Sequence, residues 1–136
     1  MMLPEGFELA DMDALPANPV EAIEVWLAEA TEYAGRPNPN AVALATADAD
    51  GQPSVRMMLL KGLDERGAVI YTNLESRKGR QIRENPKVAL LLHWDVLGRQ
   101  VRIEGSAMPV SDEEADAYFA SRPWASRVGA VFSGRG

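Results

Sequence analysis

The sequence predicts a mainly β domain: a small antiparallel barrel with peripheral helices. Short apolar runs separated by turn residues recur between residues 41 and 107, at the spacing of hairpin-linked strands. Cap signals mark short helices before, within and after those runs. The length of 136 residues suits one buried core, not two domains.

Residues 1–16 lack sustained periodicity and read as a flexible lead-in to a single domain over 17–136. Asn18-Pro19 opens a helix, with a capping side chain, proline at the first helical position and Glu21 three residues after the cap. Val20, Ile23, Leu27 and Ala30 recur at helical spacing, and Gly35 stops the run. Arg36 to Asn40 is a turn-rich connection. Strands are expected over Ala41–Ala47 and Ser54–Leu60 around a turn ending at Gly51, then over Ala68–Thr72 after the turn Asp64 to Gly67. Ser76 caps a short helix reaching about Glu84, which Asn85-Pro86 ends. Lys87–Trp94 and Gln100–Ala107 form two more strands around Asp95–Gly98. Ser111 with Glu114 makes a capping box for a helix through about Ser121, broken by Pro123, and a last helical turn or two is expected over Ala125–Phe132.

Composition narrows the chemistry. The chain has no cysteine, so disulfides and thiolate chemistry are excluded. Its one histidine, His93, leaves no histidine pair for a metal, and no metal site is expected. No apolar run reaches the roughly 18 residues of a membrane span, and no signal peptide opens the chain, so a cytoplasmic location is expected. The net charge of −6 argues against nucleic acid as partner. Its distribution is uneven: residues 51–136 hold thirteen basic and ten acidic side chains, a balance of +3, and eight of the fourteen basic residues fall between Arg56 and Lys87. A basic cluster inside an acidic chain suggests a local anion site; basic residues scattered on solvent faces would give the same count.

Four stretches could carry function. In Arg56-Met57-Met58-Leu59-Leu60-Lys61, two cations bracket an apolar strand and could reach a charged ligand, although a core strand with solvated ends reads the same way. In Tyr71 to Lys78 a strand gives way to a helix whose first turn carries Arg77 and Lys78. Cations there oppose the helix dipole, and a phosphate at the helix N-terminus would relieve the conflict. A surface helix with two unhelpful charges would cost only a few tenths of a kcal/mol to about 1. Gln100, on a strand after a turn, can both donate and accept, which suits the edge of a flavin or nucleobase; most strand glutamines merely face water. Tyr118 and Arg122 share a helix face, and with Ser126 they could form a second oxyanion site, or simply end a helix with the ring inside and the arginine outside. His93 sits in an apolar run and reads as a packed or half-exposed residue, not a base.

Taken in order, Arg-Met-Met-Leu-Leu-Lys, Tyr-Thr-Asn-Leu-x-Ser-Arg-Lys, Arg-Gln-Val-Arg-x-x-Gly and Tyr-Phe-x-Ser-Arg-Pro resemble pyridoxine/pyridoxamine 5′-phosphate oxidase, from about Asn18 to Ala130. The resemblance implies an FMN-binding split β-barrel that holds FMN at a homodimer interface. By that resemblance Arg56, Met57, Met58, Leu59, Leu60, Lys61, Tyr71, Thr72, Arg77, Lys78 and Gln100 bind FMN, with Arg77 and Lys78 on its phosphate. Lys61, Tyr118, Arg122 and Ser126 match positions holding the phosphate of a small vitamin B6 substrate. The implied reaction is oxidation of pyridoxamine or pyridoxine 5′-phosphate to pyridoxal 5′-phosphate, with O₂ as acceptor. The family's later Trp-x-Gly and Arg-Leu-His-Asp-Arg motifs do not occur before Gly136, and Gly6-Phe7-Glu8-Leu9 does not match its basic, tyrosine-containing N-terminal segment. No catalytic residue is singled out. A related flavin oxidase with another substrate, and a binding module holding FMN or pyridoxal phosphate without turnover, stay open as alternatives.

Overall fold

The computed structural model describes residues 15–72, 76–120 and 129–135. Its first helix, α1, spans Pro19–Tyr33. The Asn18 side chain accepts from the amides of Val20 at 2.9 Å and Glu21 at 3.5 Å, so the expected cap is present. Strands β1 (Ala41–Ala47) and β2 (Pro53–Leu59) form a hairpin whose turn includes Gly51 at φ 88, a conformation that favours glycine. β3 (Gly62–Asp64) and β4 (Gly67–Tyr71) form a second. Helix α2 covers Arg77–Glu84. β5 (Lys87–Trp94) and β6 (Arg99–Pro109) form a third hairpin, turned by a 3-10 segment and closed by left-handed Gly98. α3 (Asp112–Ala120) and β7 (Gly129–Arg135) complete the described elements.

All strand pairs are antiparallel, and the sheet runs β2-β1-β5-β6-β7-β4-β3. Its two outer strands, β2 and β3, are successive in sequence and separated only by Leu60 and Lys61. A sheet whose opposite edges are joined by so short a link must curl on itself, which makes it a barrel. Leu60 N–H donates to Asn40 O and Lys61 N–H to Val69 O, both at 2.9 Å, stitching the seam on both sides.

Alternation along the strands fills the interior. Val42 and Leu44 from β1, Ile70 from β4, and Leu90, Leu92 and Trp94 from β5 are almost wholly buried. α1 lays Ile23 and Ala30, flanked by Trp26 and Leu27, on this core. A tether also holds α1: Arg99, buried on β6, pairs with Glu29 at 2.7 Å, its guanidinium 4.6 Å from the Trp26 ring centre. Removing one member of a buried pair is costly, and partial exposure of Glu29 moderates the cost. Arg99→Met is therefore expected to destabilise the fold by about 2 kcal/mol. Thermal melts test this, and an unchanged midpoint would show the tether to be energetically idle.

Two segments depart from the sequence expectation. The helical turn expected over Ala125–Phe132 is wrong where the structure describes it: residues 129–135 form β7, paired with both β6 and β4. Without β7 the facing backbone edges of β6 and β4 would lack partners, and this long-range demand outweighs a weak local helical pattern containing Gly129. β3 was not anticipated, because three residues give too little alternation to read. The greater part of the lead-in, residues 1–14, lies outside the described residues.

Candidate functional site

Three cations converge where β2 meets α2. Arg56 stands on the inner face of β2, in register with Leu44 of β1, and is half-buried. Arg77 and Lys78 are the first two residues of α2, the former exposed and the latter half-buried. Burial lowers the pKa of Arg56, helped by the charge of Arg77. Burial and the charge of Arg56 do the same to Lys78. Among the described residues, none of the three forms an ion pair with a carboxylate. Like charges gathered without counter-charge repel, and an anion between them would relieve the repulsion.

The backbone favours the same occupant. Ser76 caps α2, its hydroxyl accepting from Gly79 N–H at 3.2 Å, and the first turn contains no acidic residue. The positive end of the helix dipole therefore lies beside two cations, with no carboxylate in its own first turn. Thr72, just beyond β4 on the way to α2, is buried at 6% exposure. Its Oγ1 has no hydrogen-bond partner among the described residues. Because such a group is costly inside a protein, it marks a position that a ligand atom would satisfy.

A buried polar ring holds Arg56. Its Nη1 donates to Leu44 O at 3.1 Å and Thr46 Oγ1 at 2.8 Å, and its Nη2 donates to Gln81 Oε1 at 3.2 Å. Thr46 Oγ1 in turn donates to Gln81 Oε1 at 2.7 Å, and Gln81 Nε2 donates to Ser54 Oγ at 3.3 Å.

Where α3 meets β4, the Tyr71 and Tyr118 rings stack with centroids 3.8 Å apart and planes inclined by 8°. Tyr71 Oη donates to Glu114 Oε1 at 3.4 Å, and burial together with Glu114 raises the Tyr71 pKa. Arg66 grips Glu114 and Asp64, each at 2.7 Å, locking α3 to the β3–β4 turn. The hydrogen bonds and charge of Arg66 hold both carboxyls below their ordinary values. Lys61 lies at the barrel seam, half-buried, in the wall of a cavity of about 360 Å³ with Leu27, Thr31, Pro39, Asn40 and Leu63.

The structure thus brings Arg56, Arg77 and Lys78 together, and stacks Tyr71 on Tyr118. Met58 and Leu60 point inward beside Arg56, whereas Met57 faces out with 64% exposure and Leu59 is half-buried. Gln100 is also exposed, on the outer face of β6 opposite His93. Arg122 and Ser126 lie outside the described residues. Met57 and Gln100 share the outer side of the sheet, where the rows Val55–Ala45–Ala89 and Met57–Ala43–Leu91 form an apolar strip. Val55 is 71% exposed there.

Sequence reasoning missed Thr46, Gln81 and Glu114. Gln81 lies four residues after Arg77 and three after Lys78 on one short helix, and that spacing was the one available signal. Among the described residues no cluster of metal-binding side chains occurs, and no helix is long and apolar enough to cross a membrane.

Known proteins share this architecture. The family model described as Pyridoxamine 5′-phosphate oxidase matches residues 29–135. The chain is 59% identical over 120 residues to a pyridoxine/pyridoxamine 5′-phosphate oxidase of Gluconobacter oxydans, covering 88% of this chain and 59% of that protein. A protein of the same name from Cupriavidus taiwanensis is 55% identical over 122 residues, covering 90% of this chain and 57% of its own length. The chain thus spans somewhat under three-fifths of the length of these curated relatives. Among solved structures, PhzG from Burkholderia lata, in complex with tetrahydrophenazine-1-carboxylic acid, superposes with a TM-score of 0.78 at 35% identity, over 86% of this chain and 57% of that one. A pyridoxamine 5′-phosphate oxidase-related, FMN binding protein from Nostoc punctiforme gives a TM-score of 0.60 at 17% identity over 79% of this chain and 55% of its own, a likeness of fold. The expected split β-barrel is thereby borne out.

Proposed function

Because the chain belongs to the pyridoxamine 5′-phosphate oxidase family, we propose that it acts as an FMN-dependent oxidase that converts pyridoxamine or pyridoxine 5′-phosphate to pyridoxal 5′-phosphate. The observation that carries this reading is the cluster Arg56, Arg77 and Lys78 at the N-terminus of α2. These residues would hold FMN, which would supply hydride acceptance and reoxidation by O₂.

The residues present fit that group. Arg77 and Lys78 place charge-assisted donors at its phosphate, and the first amides of α2 add theirs. The Thr72 hydroxyl, otherwise without a partner among the described residues, hydrogen-bonds the ligand. Gln100 offers an amide to the edge of the flavin ring. Lys61, half-buried at the seam, neutralises the substrate phosphate, with Tyr118, Arg122 and Ser126 completing that second anion site. The two phosphates are then held by separate cationic groups, which fixes the substrate relative to the flavin.

A homodimer follows from the same reading. Gln100 and Met57 face outward, away from Arg56, so a flavin held by all three positions would draw them from two copies. The apolar strip of Val55, Met57 and Leu91 suits burial against a second copy.

A second reading has its own support: the relative with a TM-score of 0.78 is in complex with tetrahydrophenazine-1-carboxylic acid, so the same scaffold accommodates a ligand without a phosphate. The deciding experiment is a flavin absorbance spectrum of the purified chain with FMN, followed by anaerobic addition of pyridoxamine 5′-phosphate. Bleaching of the band near roughly 450 nm is expected. A bound flavin that resists this substrate but bleaches with a reduced phenazine carboxylic acid selects the second reading. A bound flavin that neither reduces leaves a flavin carrier, and no binding of FMN overturns the flavin assignment.

A further inference from the structure

We propose that Thr46 and Gln81 are positioning residues for the anion site: they clamp the Arg56 guanidinium with neutral acceptors only, so that it faces a bound phosphate fixed in orientation and with its charge intact. The inference rests on the flavin-phosphate reading above and extends it to two residues that need not touch the ligand.

The direction of each hydrogen bond follows from one fact: arginine donates and never accepts. Arg56 Nη2 at 3.2 Å therefore requires the oxygen, not the nitrogen, of the Gln81 amide. With Oε1 so placed, Nε2 is left to donate to Ser54 Oγ at 3.3 Å. Thr46 Oγ1 accepts from Arg56 Nη1 at 2.8 Å and so turns its own proton to Gln81 Oε1 at 2.7 Å. The ring closes with no member free to turn on its own. Thr46 and Gln81 are 3% and 5% exposed, so water does not compete for these bonds.

The acceptors are the informative part. A half-buried guanidinium is ordinarily matched by a carboxylate. Arg56 is matched instead by the carbonyl of Leu44, a hydroxyl and a carboxamide. These satisfy three of its five N–H groups and cancel none of its charge, leaving donors on Nε and Nη2 for an anion. A glutamate at position 81 would keep the accepting oxygen and improve the pairing with Arg56, while cancelling the charge that the site needs. Fold stability and anion affinity therefore favour different residues at this position. Because Gln81 is on the same helix as Arg77 and Lys78, the ring also fixes the distance between Arg56 and the other two cations.

The test compares FMN with riboflavin, which lacks the phosphate, on the full chain carrying Q81E, T46V or T46S, by fluorescence quenching alongside thermal melts. The ratio of FMN to riboflavin affinity is expected to fall about tenfold or more in Q81E, with no loss of melting temperature. T46V, isosteric but unable to accept from Arg56, is expected to lower the ratio similarly, and T46S to restore it. An unchanged ratio in both Q81E and T46V overturns the proposal, as does a parallel loss of both ligands, which would indicate a structural role only. Nitrogen-15 NMR of the Arg56 side chain in ligand-free protein separates this outcome from failure of the flavin reading. If the parent binds no flavin, yet slow guanidinium rotation is seen in the parent and T46S and lost in T46V, the clamp stands and the flavin reading falls. If rotation is equally fast in all three, the clamp falls.

Discussion

Replacing Arg77 and Lys78 together with alanine is expected to weaken FMN binding by at least about a hundredfold. Each cation contributes a charge-assisted contact to a phosphate, worth about 1.5–3 kcal/mol when well placed. Arg77 is exposed, so water and salt screen its share, and the lower end of that range applies to it. Lys78 is half-buried, and burial already disfavours its charged form, so a phosphate partner gains more there. Two contacts at the lower end give about 3 kcal/mol, which exceeds two decades in affinity. Equilibrium dialysis at fixed ionic strength measures the change, with the exposed Lys87→Ala as a control for general charge loss. If the double variant retains FMN as tightly as the parent, the phosphate does not sit at α2.

Trp94→Ala is expected to destabilise the fold by about 3–5 kcal/mol, a large share of what a domain of this size possesses. The indole is fully buried at the end of β5, so its removal leaves a cavity that strands on a closed sheet cannot collapse to fill. Its Nε1–H also donates to Pro39 O at 2.7 Å, tying down the connection between α1 and β1. Trp94→Phe keeps most of the bulk and loses only that bond, at a cost of about 1–2 kcal/mol. Urea denaturation orders the three proteins, and a loss below about 1 kcal/mol in Trp94→Ala would refute the packing account. Pro39 and Asn40 line the same cavity as Lys61, so Trp94→Phe should also loosen the wall beside that lysine.

What the sequence discloses and what it hides divide along the range of the interaction. Asn18, Ser76 and Ser111 announce their helices because each cap is satisfied within three residues. Strands β1, β5 and β6 are legible because short apolar runs bounded by turn residues are a local pattern. β7 is not legible, since its conformation is decided by β6 and β4, both remote in sequence. The site divides in the same way. Arg77 and Lys78 are adjacent in the chain and visible as a motif. Thr46, Ser54, Arg56 and Gln81 form one unit only after a hairpin register and a helix–sheet contact bring them together. The outward placement of Met57 and Gln100 was likewise settled by which face of the sheet the core claims.

The place of β7 in the sheet bears on the order in which the chain acquires its structure. Each of the three hairpins closes between neighbours in sequence and can form as soon as its own residues are available. β1 then joins the first hairpin to the third, but the β3–β4 hairpin reaches the larger sheet through β7, which follows all the others in the chain. Tyr71 and Thr72, at the end of β4, thus take up their final setting late, after a loop closure spanning much of the sequence. Refolding should accordingly show early protection of backbone amides in β1, β5 and β6 and delayed protection in β4. Until β7 docks, the facing edges of β6 and β4 are open to pairing with other chains, which makes this interval the one most exposed to aggregation.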